Sequence, residues 1–322
     1  MDFINETNLP ADLFRAAAWE DEILAMVVAR ATYRVGADGK LDVDDNPFPI
    51  LLEPLETPFG TLPNDIAPQK KGVDLLVLGQ AYAQGGKPVD KMLVSLQVGN
   101  FKRALAIVGD RIWQKSALGL APTPPKLFLT MPVTHERAYG GKAMLQKKEI
   151  PNGYNPVGRG YILDKDEADG VLLPNIEDPH DIITSWESKP IPAGFAPIPL
   201  ATQFVAERGV EEDPKTKQVN VKPEFFNCAH PKMIIPELKA GDQVTLTGMT
   251  PEGVLRFTIP EIPLQAELSL EEQRFTFPMR VDSLGILPEE RRLFLTLRAG
   301  FKYRFIPEQV RVIRVQHAEK AA

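Results

Sequence analysis

Residues 92–107, MLVSLQVGNFKRALAI, decide the fold class. Met92, Val94, Leu96 and Val98 alternate up to Gly99-Asn100, and Phe101, Arg103, Leu105 and Ile107 lead away from it. A period of two sends successive side chains to opposite faces of a strand, and glycine first in a two-residue turn favours a type II′ connection whose twist matches its strands. The stretch predicts a hairpin. The same period recurs outward along the chain. In ILAMVVARATYRV (23–35) the odd positions Ile23 to Val35 make one apolar face while Arg30, Thr32 and Arg34 project from the other, a half-buried strand. VDLLVLGQAY (73–82) is apolar on both faces and reads as a central strand. Toward the C-terminus, VTLTGM (244–249) and VLRFTI (254–259) flank Thr250-Pro251-Glu252-Gly253, with proline at the second turn position and glycine at a left-handed exit. LFLTLR (293–298) and FKYRF (301–305) alternate around Ala299-Gly300, and VRVIRV (310–315) closes the series.

Helical signals are few and short, at 11–20 after Pro10 and at 268–274. The 30 prolines are too many for a helical bundle, because each removes a backbone donor. The expected architecture is mainly β: two antiparallel β-rich regions, sandwich or barrel-like, over 1–120 and 240–322. A long ordered Pro/Gly-rich connection over 121–239 joins them into one cooperating unit. Within that connection, residues 131–199 show almost no apolar periodicity. They hold Tyr139, Tyr154, Tyr161, Trp186 and Phe195 beside charges of both signs, a composition unlike a disordered segment and suited to a loop fixed by tertiary contacts.

Eight blocks stand in order along the chain: GQAYA (79–83), VGDRIW (108–113), MPVTHERAYGG (131–141), NPVGRGY (155–161), LPNIEDP (173–179), PAGFAPIP (192–199), FFNCAHP (225–231) and LTGMTPEG (246–253). Together they resemble the signature of a bacterial family, domain of unknown function 2169, over about residues 8–297. The resemblance implies a non-enzymatic role in type VI secretion. The chain would be a cytoplasmic adaptor or chaperone whose partners are an effector toxin and the spike protein of valine-glycine repeat type, or its tip protein; the alternative is a structural accessory subunit of the spike complex, injected along with it.

Bulk properties set bounds. A chain of 322 residues with 43% hydrophobic content can bury a sizeable core. A net charge of −6 disfavours nucleic acid and anionic membrane as general partners, since both call for a cationic surplus. The start MDFINETNLP lacks the basic and apolar regions of a secretory signal, and no apolar run is long enough to span a bilayer, so a cytoplasmic location is expected. The single cysteine, Cys228, has no partner for an intramolecular disulfide. From Arg291 onward the chain turns basic, with seven arginines and lysines through Arg314. The plain reading is a solvated strand face; the alternative is a surface that meets an acidic partner.

The enzyme reading would use Cys228 as nucleophile, beside Asn227, with His135 or His230 as base. No cysteine-protease signature surrounds it, and a lone buried cysteine packs as a small apolar group. His135, His180, His230 and His317 lack metal-site spacing, and the glycines at 140, 141, 158 and 160 lack the strand and helix that frame a phosphate loop, so no cofactor is expected. The motif residues are read instead as architecture. Asp110, Arg111, Trp113, His135, Glu136, Arg137, Tyr139, Gly140, Gly141, Asn155, Pro156, Gly158, Arg159, Gly160, Asn175, Glu177, Asp178 and Pro179 supply charges, amides and close-approach glycines that order a backbone without ladder partners. Arg137 and Arg159 are expected to be partly buried and to tie the connection to the β-core. In KPIPAGFAPIPL (189–200), Ile191, Phe195 and Ile198 are candidate partner-binding residues if exposed. The alternative is an extended segment packed on the domain's own surface.

Overall fold

The structure is a computed structural model that describes residues 2–17, 22–117, 119–199, 219–307 and 309–318, together with 203, 207, 209–212 and 214–215. Three sheets dominate it. The first has seven strands: Ala11–Ala17, Glu22–Val35, Arg292–Arg304, Arg280–Leu287, Val73–Val77 and Ile234–Ile235 lie side by side in that order, and Leu41–Val43 pairs with Glu22–Val35. The second has five: Ile176–Glu177, Phe101–Val108, Lys91–Val98, Gln243–Thr247 and Val254–Thr258. The third has four: Asp2–Asn5, Arg311–His317, Leu264–Leu270 and Gln273–Pro278. The molecule is mainly β, and none of its sheets closes into a barrel.

Alternation along the two longest strands explains how the sheets stack. Glu22–Val35 and Arg292–Arg304 pair with Ala29 opposite Leu297, so their odd positions share one face. At one end of that face Val35, Leu293 and Leu295 pack with Leu96, Leu105, Ile107, Val244 and Leu246 of the second sheet. At the other end Ala25, Val27, Phe301 and Tyr303 pack with Leu264, Leu268, Ile313 and Val315 of the third. Two smaller sheets thus cover one face of a single long sheet, and the architecture is a sandwich.

The opposite face is covered too, which corrects the half-buried reading of 23–35. Arg30 and Thr32 are buried, and only Arg34 reaches solvent. Segment 44–70 lies over them: Arg30 Nη1 donates to Pro49 O at 2.7 Å and Thr32 Oγ1 accepts from Phe48 N–H at 3.0 Å.

The hairpin at Gly99-Asn100 forms with Val98 opposite Phe101, and Gly99 at φ +51° fits the expected turn. Gly253, at φ +89°, donates to Thr250 O at 3.0 Å and closes the second one. Two helical expectations are overturned. Residues 11–17 form a strand opposite 23–29, while positions 18–20 lie outside the described residues. Residues 268–274 span the end of one strand and the start of the next, with Glu271 at φ +54° in the turn. No turn interrupts 299–300, where Ala299 and Gly300 pair with Val27 and Met26 inside one 13-residue strand.

Pairing crosses freely between the two ends of the sequence. Val98 lies opposite Val244, Ala29 opposite Leu297, and Val73–Val77 runs parallel to Arg280–Leu287. Boundaries near 120 and 240 therefore do not separate the sheets, and three ladders are parallel where only antiparallel pairing was expected. Sequence periodicity says which residues form strands; it carries no information about partners so distant in the chain. The connection itself is built from short ladders and 3-10 turns around a small core of its own, in which Trp113, Tyr139, Ile162, Leu173 and Ile183 are buried.

Candidate functional site

Two buried polar clusters stand out. The first gathers the motif residues around Asn175, whose fully buried amide works in both directions. Its Nδ2 donates to Val108 O at 2.9 Å and Asp110 Oδ1 at 3.0 Å. Its Oδ1 accepts from Arg137 Nη1 at 3.1 Å and Arg159 Nη1 at 3.2 Å. Arg159 Nε also donates to Glu136 O at 2.9 Å, and Arg137 lies 3.7 Å from Asp110. One amide thus joins four blocks separated by tens of residues. The expected role of both arginines as ties is what the geometry gives, although each keeps part of its side chain in solvent and Glu136 is exposed.

Asn155 ties the chain one layer away: its Nδ2 donates to His135 O at 2.7 Å and Tyr139 O at 3.0 Å, and its main-chain carbonyl accepts from Gly141 and Gly158 N–H. The backbone runs so close here that a Cβ on Gly140 would stand 2.1 Å from Asn155 O, and one on Gly158 2.6 Å from Ala138 O. Nearby, Glu177 pairs with Arg111 and accepts Ile183 N–H at 3.2 Å. Burial would raise the Asp178 carboxyl, but bonds from Lys232 at 2.9 Å, Arg103 at 2.8 Å and His180 N–H hold it well below the usual carboxylate range. Pro156, Gly160 and Pro179 shape the connecting backbone; Gly160 takes φ +86°, and Pro156 and Pro179 are half-buried.

A family model described as an uncharacterised protein conserved in bacteria, DUF2169, matches residues 20–298. The chain belongs to this family. No curated protein and no solved structure matches it. In this DUF2169 protein the matched region contains both clusters.

The second cluster holds Cys228. Asp74, fully buried, accepts from Cys228 N–H at 3.0 Å, Lys70 Nζ at 2.9 Å and Asn227 Nδ2 at 3.0 Å. Burial would raise the Asp74 carboxyl, but Lys70 and these donors keep it ionised. The Cys228 thiol donates to Asp74 Oδ2 at 3.3 Å, and burial together with that negative charge pushes its pKa far up. Lys70 Nζ also reaches Ser283 Oγ at 2.9 Å, and Asp282 beyond it pairs with Arg298 at 2.5 Å. Arg30 completes the row with Asp65 at 2.5 Å and Thr296 Oγ1 at 3.2 Å. A cavity of about 20 Å³ lies between Arg30, Lys70, Cys228 and Thr296, room for one water molecule and no substrate. Among these residues sequence reasoning singled out only Cys228 and its neighbour Asn227 as chemistry. The available signal was the pair of arginine and threonine positions inside a long apolar strand.

No imidazole faces the thiol among the bonds described for Cys228. His135 is buried with Nε2 against Ala196 O at 3.2 Å, and His230 Nδ1 accepts Lys232 N–H at 3.1 Å. Burial, reinforced by nearby positive charge, lowers His230 to a pKa of about 3; burial lowers His135 as well. Both rings are neutral structural groups at neutral pH.

The candidate partner-binding trio does not hold as a set. Phe195 is 0% and Ile198 5% exposed, because 192–198 packs into the main core, where Phe195 O accepts Val77 N–H at 3.0 Å. Ile191 alone reaches the surface at 43%. Residues 189–199 belong to no strand, and the segment packs into the protein's own core rather than along its surface, as the alternative reading had placed it.

Proposed function

We propose that this DUF2169 protein is a cytoplasmic, non-enzymatic adaptor that binds an effector toxin of type VI secretion and loads it onto the spike protein of valine-glycine repeat type or its tip. The order of the eight motif blocks is the ground for the secretion role. The observation that carries the non-catalytic reading is the state of Cys228: the only thiol in the chain is buried, bonded to a carboxylate and withheld from the thiolate form that nucleophilic chemistry requires. The motif side chains support the same reading, because they turn toward one another and stiffen a long connection. A rigid scaffold with recognition on its surface can hold a client by mass action alone.

The test is co-purification. The chain is expressed with a toxin encoded beside it and, separately, with the C-terminal part of the spike protein. A stable complex that keeps the toxin soluble is expected. No complex with either protein, together with labelling of native Cys228 by an activity-based thiol probe, would contradict the proposal.

A further inference from the structure

The basic stretch from Arg291 to Arg314 contains one residue unlike the rest. Arg291 donates to Val35 O and Gly36 O, Arg292 pairs with Asp44, Arg298 with Asp282, and Arg314 with Glu267. Arg311 is only 7% exposed, and its Nε and Nη2 have no hydrogen-bond partner. Alternation along Arg311–His317 explains the burial: Arg311 lies on the same face as Ile313 and Val315, which pack between the first and third sheets. Its guanidinium rests 4.7 Å from the Phe305 ring centroid and 5.9 Å from that of Tyr303.

Arg311 lines an open groove of about 670 Å³, with Phe14, Arg15, Ile23, Tyr303 and Phe305 among its walls. The volume is that of a ligand site rather than a packing defect. Along it runs Ala11–Ala17, the edge strand of the first sheet. Arg30 N–H donates to Pro10 O across the inner side of that strand, while Leu13 N–H instead bonds its neighbour's Asp12 Oδ1. An edge of this kind is a template for a further strand.

We propose that the groove binds an extended apolar peptide segment carrying a carboxylate, the segment lying along Ala11–Ala17 and its carboxylate pairing with Arg311. Two buried guanidinium nitrogens without hydrogen-bond partners destabilise the chain that carries them, and an incoming anion relieves that cost. The planar fork matches a carboxylate, and the aromatic and aliphatic walls favour apolar neighbours beside it. Arg311 lies beyond the matched residues 20–298, so this site is a feature of the chain and not of the family match. It also stands apart from the adaptor reading, since it concerns a peptide of stated chemistry whatever protein supplies it.

The test uses the full chain and three fluorescent or competing probes: the pentapeptide Val-Leu-Val-Glu-Val with blocked ends, the same peptide with Gln for Glu, and hexanoate. The Glu peptide is expected to bind about tenfold or more tighter than the Gln peptide, the worth of one charge-assisted bond. R311M is expected to lose the same factor while melting no lower than the parent. Equal binding of the two peptides, hexanoate matching the Glu peptide, or no binding by any probe overturns the proposal. So does an R311M chain that melts far below the parent, which would make Arg311 a structural residue; R311K, keeping the charge without the fork, should bind with intermediate strength if the parent site is real.

Discussion

Asp74 accepts both the thiol of Cys228, at 3.3 Å, and the ammonium of Lys70, at 2.9 Å, on the same Oδ2 atom. The carboxylate therefore sets the protonation of both neighbours. Beside it the lysine stays charged: burial works against the charge, but the negative groups around it, Asp74 foremost and Asp282 behind it, together prevail, and the thiol stays protonated. A catalytic cysteine calls for the reverse electrostatics, a cation and a base in contact with the sulfur and an open path to it.

The thiol should accordingly be inert in the folded chain. With iodoacetamide at about pH 8, labelling is expected only at the rate of global unfolding, and rapid labelling in denaturant. Stoichiometric labelling of the native protein within minutes would show an accessible thiolate.

Replacing Asp74 by Asn leaves the Lys70 ammonium buried without its counter-charge. A loss of about 3–5 kcal/mol is expected from denaturant melts, the cost of breaking one side of a buried pair. The double change Asp74→Asn with Lys70→Met should recover much of that loss. A double variant as unstable as the single one would show that the pair is not the source of the effect.

Asn175 is the joint of the motif cluster. Asn175→Ala strands Val108 O and frees two arginine donors, and about 3 kcal/mol of stability should go with it. Arg137→Ala and Arg159→Ala should each cost only about 1–2 kcal/mol, since both side chains keep contact with water. Because both arginines bond the same oxygen, their effects should not add in a double-mutant cycle. Additive losses would place them in separate interactions.

Gly158→Ala tests the close approach directly. A Cβ there would meet Ala138 O at 2.6 Å, and backbone does not yield as a flexible side chain does. A loss of about 2 kcal/mol is expected. A chain with unchanged melting temperature would mean that the two strands of the connection are looser than this geometry.

Stability should fall in mild acid, and the sign follows from the histidines. His230 has a folded pKa of about 3 against an ordinary value of 6.5, so below about pH 6.5 the unfolded chain binds a proton that the folded chain refuses. Each such group removes about 1.4 kcal/mol per pH unit as pH drops through this window, and His135 acts in the same direction. Asp74 and Asp178, both lowered from 3.8, contribute stability above that value and lose it only at more acid pH. Urea melts at several pH values should therefore show a decline beginning near the histidine range, and His230→Asn, which keeps an acceptor for Lys232 N–H, should flatten it. A profile level down to about pH 4 would contradict the buried neutral state.

The strands were legible because their residues alternate, and the hairpins because glycine and proline mark the turns. Residues 11–17 and 268–274 were misread for one reason: each is short, and its decisive contacts lie in other strands, at 23–29 and at 311–313. The motif cluster was legible in kind, as charges and amides ordering a loop, but its centre was not. Nothing local marks Asn175 as the residue on which Arg137 and Arg159 converge. The Asp74–Cys228 contact, like the Arg30–Asp65 and Asp282–Arg298 pairs, joins residues that the fold brings together from separate segments. Arg311 looked like one more member of a solvated basic stretch; its place in the alternation with Ile313 and Val315 was the available hint that it faces inward.

An adaptor delivers its toxin without being spent in delivery. Its most direct test is a secretion assay in a strain lacking this protein, complemented with a tagged copy, in which toxin and tag are followed in cells and culture supernatant during type VI firing. Toxin release is expected to require the chain while the tagged chain stays in the cells. Release of toxin at normal levels without the chain, or recovery of the tagged chain in the supernatant with the toxin, would contradict the adaptor role.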